Sequence, residues 1–350
     1  MDPNTLNLLK GAAGAGSAPY DGNVVIAHED SPFISVFPFT SDGGFGTRYT
    51  NPSSLPSSHR FCGEFSPDGN YVAVGGQTSP RFDVYEWSSS GFGSNEWSQG
   101  CGDTVRDVSW HPDSDAVAVV QEGTSPYVLA WPWSSSGFGA QFSDPSSNVT
   151  SSAWGVAFNP VTGNSIIVGG YSSPYLSAWA WSSSGFGTKY SAPSASSGVG
   201  WDCAFSPDGT YVLQGSDADP HINVYPWDDS SGFGTRYSQP STLPGDATRG
   251  VAMNPDNTAV ASAGASTYID VWAWSSSGFG TKYSNPGSGL PSQRANDVAW
   301  TPDGAAIILV YGGGVKVSAW PWDDSTGFGT KFSDPSQSVY DAFGVAFQPV

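Results

Sequence analysis

Asp107, Asp202 and Asp297 occupy one position of a recurring pattern, each three residues before an aromatic that leads into a proline turn. Carboxylates repeated in register can hold a hard cation, which takes oxygen ligands from several chain segments. The competing use is structural, since a buried carboxylate can accept backbone N–H groups of a neighbouring unit. The structural use is the expectation, and the three aspartates are kept as candidate metal ligands. His28, His59, His111 and His221 fall at unlike places in the pattern and read as loop or surface residues, with no shared metal centre. The pairs Asp228/Asp229 and Asp323/Asp324 lack calcium-loop spacing and read as solvated turns. No GxSxG, Walker A or HExxH motif occurs, so no hydrolase, nucleotide or zinc-protease chemistry is indicated. Three cysteines, Cys62, Cys101 and Cys203, without a CxxC spacing, read as buried free thiols. No catalytic residue and no cofactor are assigned.

A second set of residues has the types that bind rather than react. Four residues before the residue that ends the strand leading into each proline turn, an aromatic in all units but that of Met253, stand Phe61, Arg106, Trp154, Trp201, Arg249, Asn296 and Phe343. At the start of another strand, just after a proline in five of the seven units, stand Phe33, Arg81, Tyr127, Tyr175, His221, Tyr268 and Lys316. These positions vary between units while their surroundings stay fixed, so they are free to serve a partner. Aromatic bodies with polar rims suit sugars and protein surfaces, and Trp and Arg are frequent binding anchors. The alternative is that the rings wedge adjacent units together.

The elements that position these residues are legible from internal repetition. GFG triplets centre on Phe45, Phe92, Phe138, Phe186, Phe233, Phe279 and Phe328, and WSSSGFGTKY occurs unchanged at 181–190 and 274–283. In step with them run FSPDG, WHPDS, FNPVT, FSPDG, MNPDN, WTPDG and the final FQPV. Period-two alternation and turn residues divide each unit into four strands, a to d. Strand a ends at the aromatic before the proline turn. Strand c carries two aromatics two residues apart, such as Trp179 and Trp181, which share one face. Strand d begins at GFG. The fold class is therefore all-β: a seven-bladed β-propeller of four-stranded antiparallel blades. The last segment reads as a strand a and the first, after residue 22, as a strand b, so the N-terminal strands pair with the C-terminal strand and close the ring.

Residues 1–22 read as an arm or linker and 23–350 as the propeller. Blades lie near 59–99, 103–145, 152–193, 199–240, 247–286 and 294–335, with a closing blade from 23–52 plus 341–350. Arg48, Lys189, Arg236, Lys282 and Lys331 in GFG-T-[KR] are expected on the exposed edge strand as guards against edge-to-edge pairing. A net charge of −19 excludes nucleic acid as a partner and disfavours anionic membranes. No apolar run is long enough for membrane insertion. The start of the chain, MDPNTLNLLK, lacks the basic region and long apolar core of a signal peptide.

The AFSPDG segment followed by a strand ending in Val-Tyr or Val-Trp resembles the WD-repeat β-propellers over nearly the whole chain after residue 22. The Asp that follows the strand-c Trp in that family is absent, as is its Gly-His pair, so the family's internal hydrogen-bond tetrad and scaffold partners are not carried over. The SSGFGTKYSNP cassette resembles propeller proteins of tailed bacteriophages of aquatic bacteria. That resemblance implies a non-enzymatic virion structural or accessory protein, assembled in the host cytoplasm and displayed on the particle surface or tail. Its implied partners are other virion proteins, through the N-terminal arm, and a host-surface glycan. Two alternatives stay open: a free lectin-like or protein-binding propeller, and a metal-dependent propeller enzyme such as a lactonase or lyase.

Overall fold

The computed structural model describes residues 18–265, 268–291, 293–313, 316–337, 339 and 341–350. Most of the N-terminal arm lies outside the described residues. Those described form seven four-stranded antiparallel sheets, each the blade of a propeller. We number the blades from the closing one. Blade 1 joins strands b, c and d (Asp21–His28, Ile34–Thr40, Gly44–Phe45) to a strand a from the other end of the chain, Ala342–Phe347. Strands a of blades 2 to 7 are Arg60–Phe65, Val105–Trp110, Ala153–Phe158, Gly200–Phe205, Thr248–Met253 and Ala295–Trp300. They neighbour one another round the ring and line its centre.

The ring closes by pairing Val24 with Phe347 and Ala27 with Gly344. Tyr20 seals the joint. Its ring is buried edge-on against Phe347 at 5.6 Å, and its hydroxyl donates to the carbonyls of Asn23 and Gln348, both at 3.0 Å. Strand b, apolar on both faces, is the most buried element of each blade; Ala116–Gln121 and Ala306–Tyr311 are buried throughout. Layers of buried aliphatic residues from adjacent blades make the core, and burial of such area is the main source of stability.

The repeated cassette latches each blade to the next. The last aromatic of strand d or its extension packs edge-on against the strand-c aromatic of the following blade. The pairs are Tyr49 with Trp87 at 4.9 Å, Tyr190 with Trp227 at 5.0 Å and Tyr283 with Trp322 at 4.8 Å. Phe332 against Phe39 at 5.9 Å completes the circle. Edge-on geometry suits aromatic quadrupoles and adds to the area buried.

Three of the basic residues of the GFG-T-[KR] segments do not face outward as edge guards. Arg236 donates to the Asn223 side chain at 2.9 Å, Lys282 pairs with buried Asp270 at 2.7 Å, and Lys189 lies 4.8 Å from the Trp179 ring centre. Beneath Arg236 and Lys282, strand c buries a polar residue, Asn223 and Asp270, that needs a partner. The second aspartate of each turn pair is likewise engaged. Asp229 accepts from Thr162 of the preceding blade at 2.6 Å and from the Trp227 indole at 2.8 Å. Asp324 accepts from the Trp322 indole at 2.7 Å. Only Asp228 and Asp323 remain as exposed turn caps, each accepting from the following serine.

Candidate functional site

Loops d–a and b–c meet on one face, where Glu122 N–H donates to Thr104 O and Tyr171 N–H to Ser152 O. On that face every blade interrupts the a–b ladder at the same place. Register shifts fall between Arg60 and Cys62, Val105 and Asp107, Ala153 and Gly155, Gly200 and Asp202, Thr248 and Gly250, and Ala295 and Asp297. In blade 1 the shift lies opposite Phe343. The extra residue in each bulge is the variable one: Phe61, Arg106, Trp154, Trp201, Arg249, Asn296 and Phe343. A β-bulge bends its strand and re-aims one side chain without disturbing the rest of the ladder. Seven bulges thus present seven side chains around the channel mouth.

Six of them stack into one arc. Phe343 meets Phe61 at 5.0 Å, the Arg106 guanidinium lies 4.2 Å from the Phe61 ring centre and 4.4 Å from that of Trp154, Trp154 meets Trp201 at 4.5 Å, and Arg249 covers Trp201 at 4.4 Å. Cation–π contacts of this kind contribute about 0.5–1 kcal/mol each at exposed sites. Arg106 is also paired with Glu122 at 2.5 Å. Asn296 interrupts the arc, because its amide turns to the Ala342 carbonyl at 2.7 Å. All six arc residues keep part of their surface open to solvent. His59 extends the stack behind Phe61 at 5.1 Å.

The second variable set sits outside this arc. Phe33, Arg81, Tyr175, His221 and Tyr268 have φ between 58° and 69°, in the left-handed region that bulky residues rarely occupy. Each of these except Tyr268 follows a cis proline peptide. Arg81 is tied to the carbonyls of Gln77 at 3.0 Å and Cys101 at 2.6 Å, and His221 lies 3.2 Å from Asp219. Tyr127 and Tyr268 lean on the cores of blades 3–4 and 6–7. Among the described residues no ring contact joins this set to the arc.

Below the mouth, the channel aspartates perform the structural task. Asp107 accepts from Val156 N–H of the next blade at 2.8 Å, Asp202 from Val251 at 2.8 Å and Asp297 from Val345 at 3.0 Å. Asp107 and Asp297 also accept from the residue that follows them. Between them, Gly155, Gly250 and Gly344 let the following blade come close: a Cβ there would lie 2.9, 2.7 and 2.9 Å from Cα of Asp202, Asp297 and Cys62. Seven is odd, so the alternation fails once, at Cys62. There Glu64 supplies the link, accepting from Trp110 N–H at 3.1 Å. Sequence reading missed Glu64. Its signal was available: the other units have Ala or Ser one residue before the strand-a aromatic.

These carboxyls are enclosed by the channel wall while part of each side chain still faces the channel. Burial pushes Glu64 up to about 8. Burial, then the charge of Asp202, pushes Asp297 up to about 8 and Asp107 well above the usual carboxylate range. Burial brings Asp202 to about 6. Desolvation disfavours the ionised form and a like charge adds to it.

His59 and His221 lie in loops, as expected, but the other two histidines are buried. His28 is fully buried with its Nε2 3.0 Å from Ser35 Oγ, and burial holds its pKa down to about 4. His111, on the opposite face, is also buried. With Asp113 and Asp115 it forms the one group among the described residues whose possible ligand atoms lie within 4.8 Å of one another. The three border a cavity of about 350 Å³ with Thr162, Asn164 and Ser182. His111 Nδ1 is already 2.8 Å from Asp115, so the cluster is a braced turn. The H-x-D-x-D spacing in WHPDSDA was its sequence signal. Cys62, Cys101 and Cys203 are buried and free, as expected.

Comparison with known proteins bears on the fold. The WD domain, G-beta repeat family matches residues 188–225, which run from the end of strand d of blade 4 into strand c of blade 5. The chain is a WD-repeat-like seven-bladed propeller. No curated protein matches the sequence. Similar solved structures include a protein of unknown function from Desulfotomaculum acetoxidans DSM 771, with TM-score 0.69 and 14% identity over 94% of this chain and 100% of that one. A protein from Lactobacillus plantarum gives 0.70 and 14% over 94% and 99%. A candidate 6-phosphogluconolactonase from Bacteroides uniformis gives 0.68 and 15% over 93% and 99%. At such identities the likeness concerns the fold.

Proposed function

We propose that this protein is a non-enzymatic recognition propeller that binds a host-surface glycan or a neighbouring virion protein at its channel mouth. The observation that carries the reading is the arc. Seven bulges hold seven side chains at one rim, and those side chains differ between blades whose strand frame stays the same. Selection for blade packing alone favours sameness there, as it does at the strand-c aromatics. The setting on a bacteriophage particle rests on the resemblance of the SSGFGTKYSNP cassette, with the N-terminal arm as the attachment to other virion proteins.

A lactonase-like reading, prompted by the Bacteroides uniformis protein, would place chemistry on the channel carboxylates. Their oxygens are occupied by backbone N–H groups of adjacent blades, which favours the structural role. The test uses purified full-length protein as a competitor of phage adsorption to host cells. The native protein is expected to compete, and Trp154→Ala with Trp201→Ala to lose at least tenfold in potency while keeping the native unfolding temperature to within a few degrees. Equal competition by the double variant overturns the arc as the site. Turnover of 6-phosphogluconolactone by the protein would displace the binding reading altogether. Removal of residues 1–17, which leaves buried Tyr20 in place, is expected to abolish incorporation into particles.

A further inference from the structure

The arc is not electrically uniform. Its Phe61–Arg106–Trp154 side is balanced by Glu122, which pairs with Arg106. Its other end is not. Arg249 lies on Trp201, and among the described residues neither Arg249 nor Arg294 has an ion-pair partner. Arg294 immediately precedes strand a of blade 7 and is exposed, next to the blade that carries Arg249. Burial, then the like charges of Arg294 and Arg106, pushes Arg249 down to about 10. Asp246 and Asp217 only partly offset this. The crowding is notable on a chain with 31 acidic and 12 basic residues. Arg106, Arg249 and Arg294 thus stand on one face of an otherwise acidic molecule, and among the described residues two of them lack an ion-pair partner.

We infer that the mouth of the channel takes a carboxylate-bearing sugar, its carboxylate on the unpaired Arg249 and Arg294 guanidinium groups and its ring against the solvent-open parts of Trp201 and Trp154. The planar fork of arginine matches a carboxylate with two parallel N–H···O bonds, which a compact ammonium cannot do. Those open parts of the two indoles supply apolar surface for C–H groups of a pyranose, and Trp is a frequent anchor in such contacts. The rest of the acidic surface repels a polyanion, which confines binding to this rim, and salt weakens the attraction of the two arginines for the carboxylate.

The inference rests on the binding reading of the arc, and its test separates the two. Calorimetric titration of the full chain with trigalacturonate and with neutral galactotriose is expected to show binding of the acidic trimer at least tenfold tighter. Raising the salt concentration narrows that difference. Arg249→Gln is expected to abolish the preference, and Arg249→Lys to keep a smaller part of it. Both variants are checked for an unchanged unfolding temperature, and Arg294→Gln, exposed and clear of the core, serves should Arg249→Gln fold poorly. Equal affinity for both trimers, unchanged by either Gln substitution, overturns the carboxylate assignment and leaves the arc as a neutral-sugar site. Failure of both trimers to bind, with adsorption competition intact and sensitive to Trp154 and Trp201, overturns the sugar assignment and leaves the arc as a protein-binding surface.

Discussion

Glu64 and Asp297 make the sharpest statement at the scale of single residues. In the unfolded chain such carboxyls titrate near about pH 4. In the fold both keep a proton to about 8, Asp202 to about 6, and Asp107 well above its ordinary range. Between those limits the folded state binds more protons than the unfolded one, so stability falls as pH rises. The contribution is complete below about pH 4 and lost once pH passes the folded values. Asp228 and Asp323 act oppositely. Hydrogen bonds from Ser230 and Ser325 hold them below the ordinary value, so their contribution is lost when pH falls through the acid range. The unfolding temperature is therefore expected to peak in mild acid and decline toward pH 9. Glu64→Gln keeps an acceptor for Trp110 N–H but removes the titration. It should flatten the decline and exceed the native protein in unfolding temperature at pH 9. Parallel curves for the two proteins would show that Glu64 ionises normally.

Among the elements, the outer hairpin shows best what a repeat encodes. The first glycine of each GFG has positive φ, from 78° at Gly44 to 101° at Gly91. Its missing side chain leaves room for the latch aromatic of the preceding blade: a Cβ on Gly185 would lie 2.9 Å from the Phe142 ring, and one on Gly232 3.0 Å from Tyr190. Gly185→Ala is expected to destabilise the protein by more than about 1 kcal/mol, since alanine fits neither the φ nor the space. Gly100→Ala, with nothing within 4 Å of the new methyl, is the control and should change little. A denaturant titration of the two variants reads the difference. This hairpin was legible in the sequence as a turn followed by strand d, because glycine and serine announce turns and the aromatics announce burial. Its inter-blade latch was not legible, because Tyr190 and Trp227 are far apart in the chain and equally good partners lie nearer. Strand d itself is long only where the residue between the two strand-c aromatics is not proline. It spans Gly185–Lys189 opposite Ala180 and Gly91–Gly100 opposite Glu86, but only Gly137–Phe138 opposite Pro132. Proline has no N–H to give the outer ladder. The arc positions were legible as places where copies disagree. The bulges that aim them were not, because a bulge leaves no fixed residue type when each blade fills it differently.

For the whole molecule, the seam decides whether the ring exists. Blade 1 takes strand a from one end of the chain and the other three strands from the opposite end, which leaves no open sheet edge at the joint. The chain ends within the fold meet there. Gln348 N–H donates to Asn23 O at 2.8 Å, and the Asn23 amide reaches Gln348 Oε1 at 2.5 Å. Phe347 is packed between Tyr20 and Phe39. Deleting residues 341–350 would expose the unpaired edge of Asp21–His28 and remove the inner neighbour of Arg60–Phe65. The truncated chain should lose its cooperative transition and aggregate. If pairing is what the seam supplies, the order in which the chain delivers the strands is immaterial. Joining Val350 to Pro19 by a short flexible linker makes blade 1 continuous, with a turn where the other blades have Pro-Asp-Gly. New ends opened at exposed Ser53 and Ser54, in the loop before blade 2, cut no sheet pairing. This permuted chain is expected to unfold in one transition close to that of the native order. A permutant that unfolds blade by blade would mean that the split blade, and not ring closure as such, makes the propeller one cooperative unit.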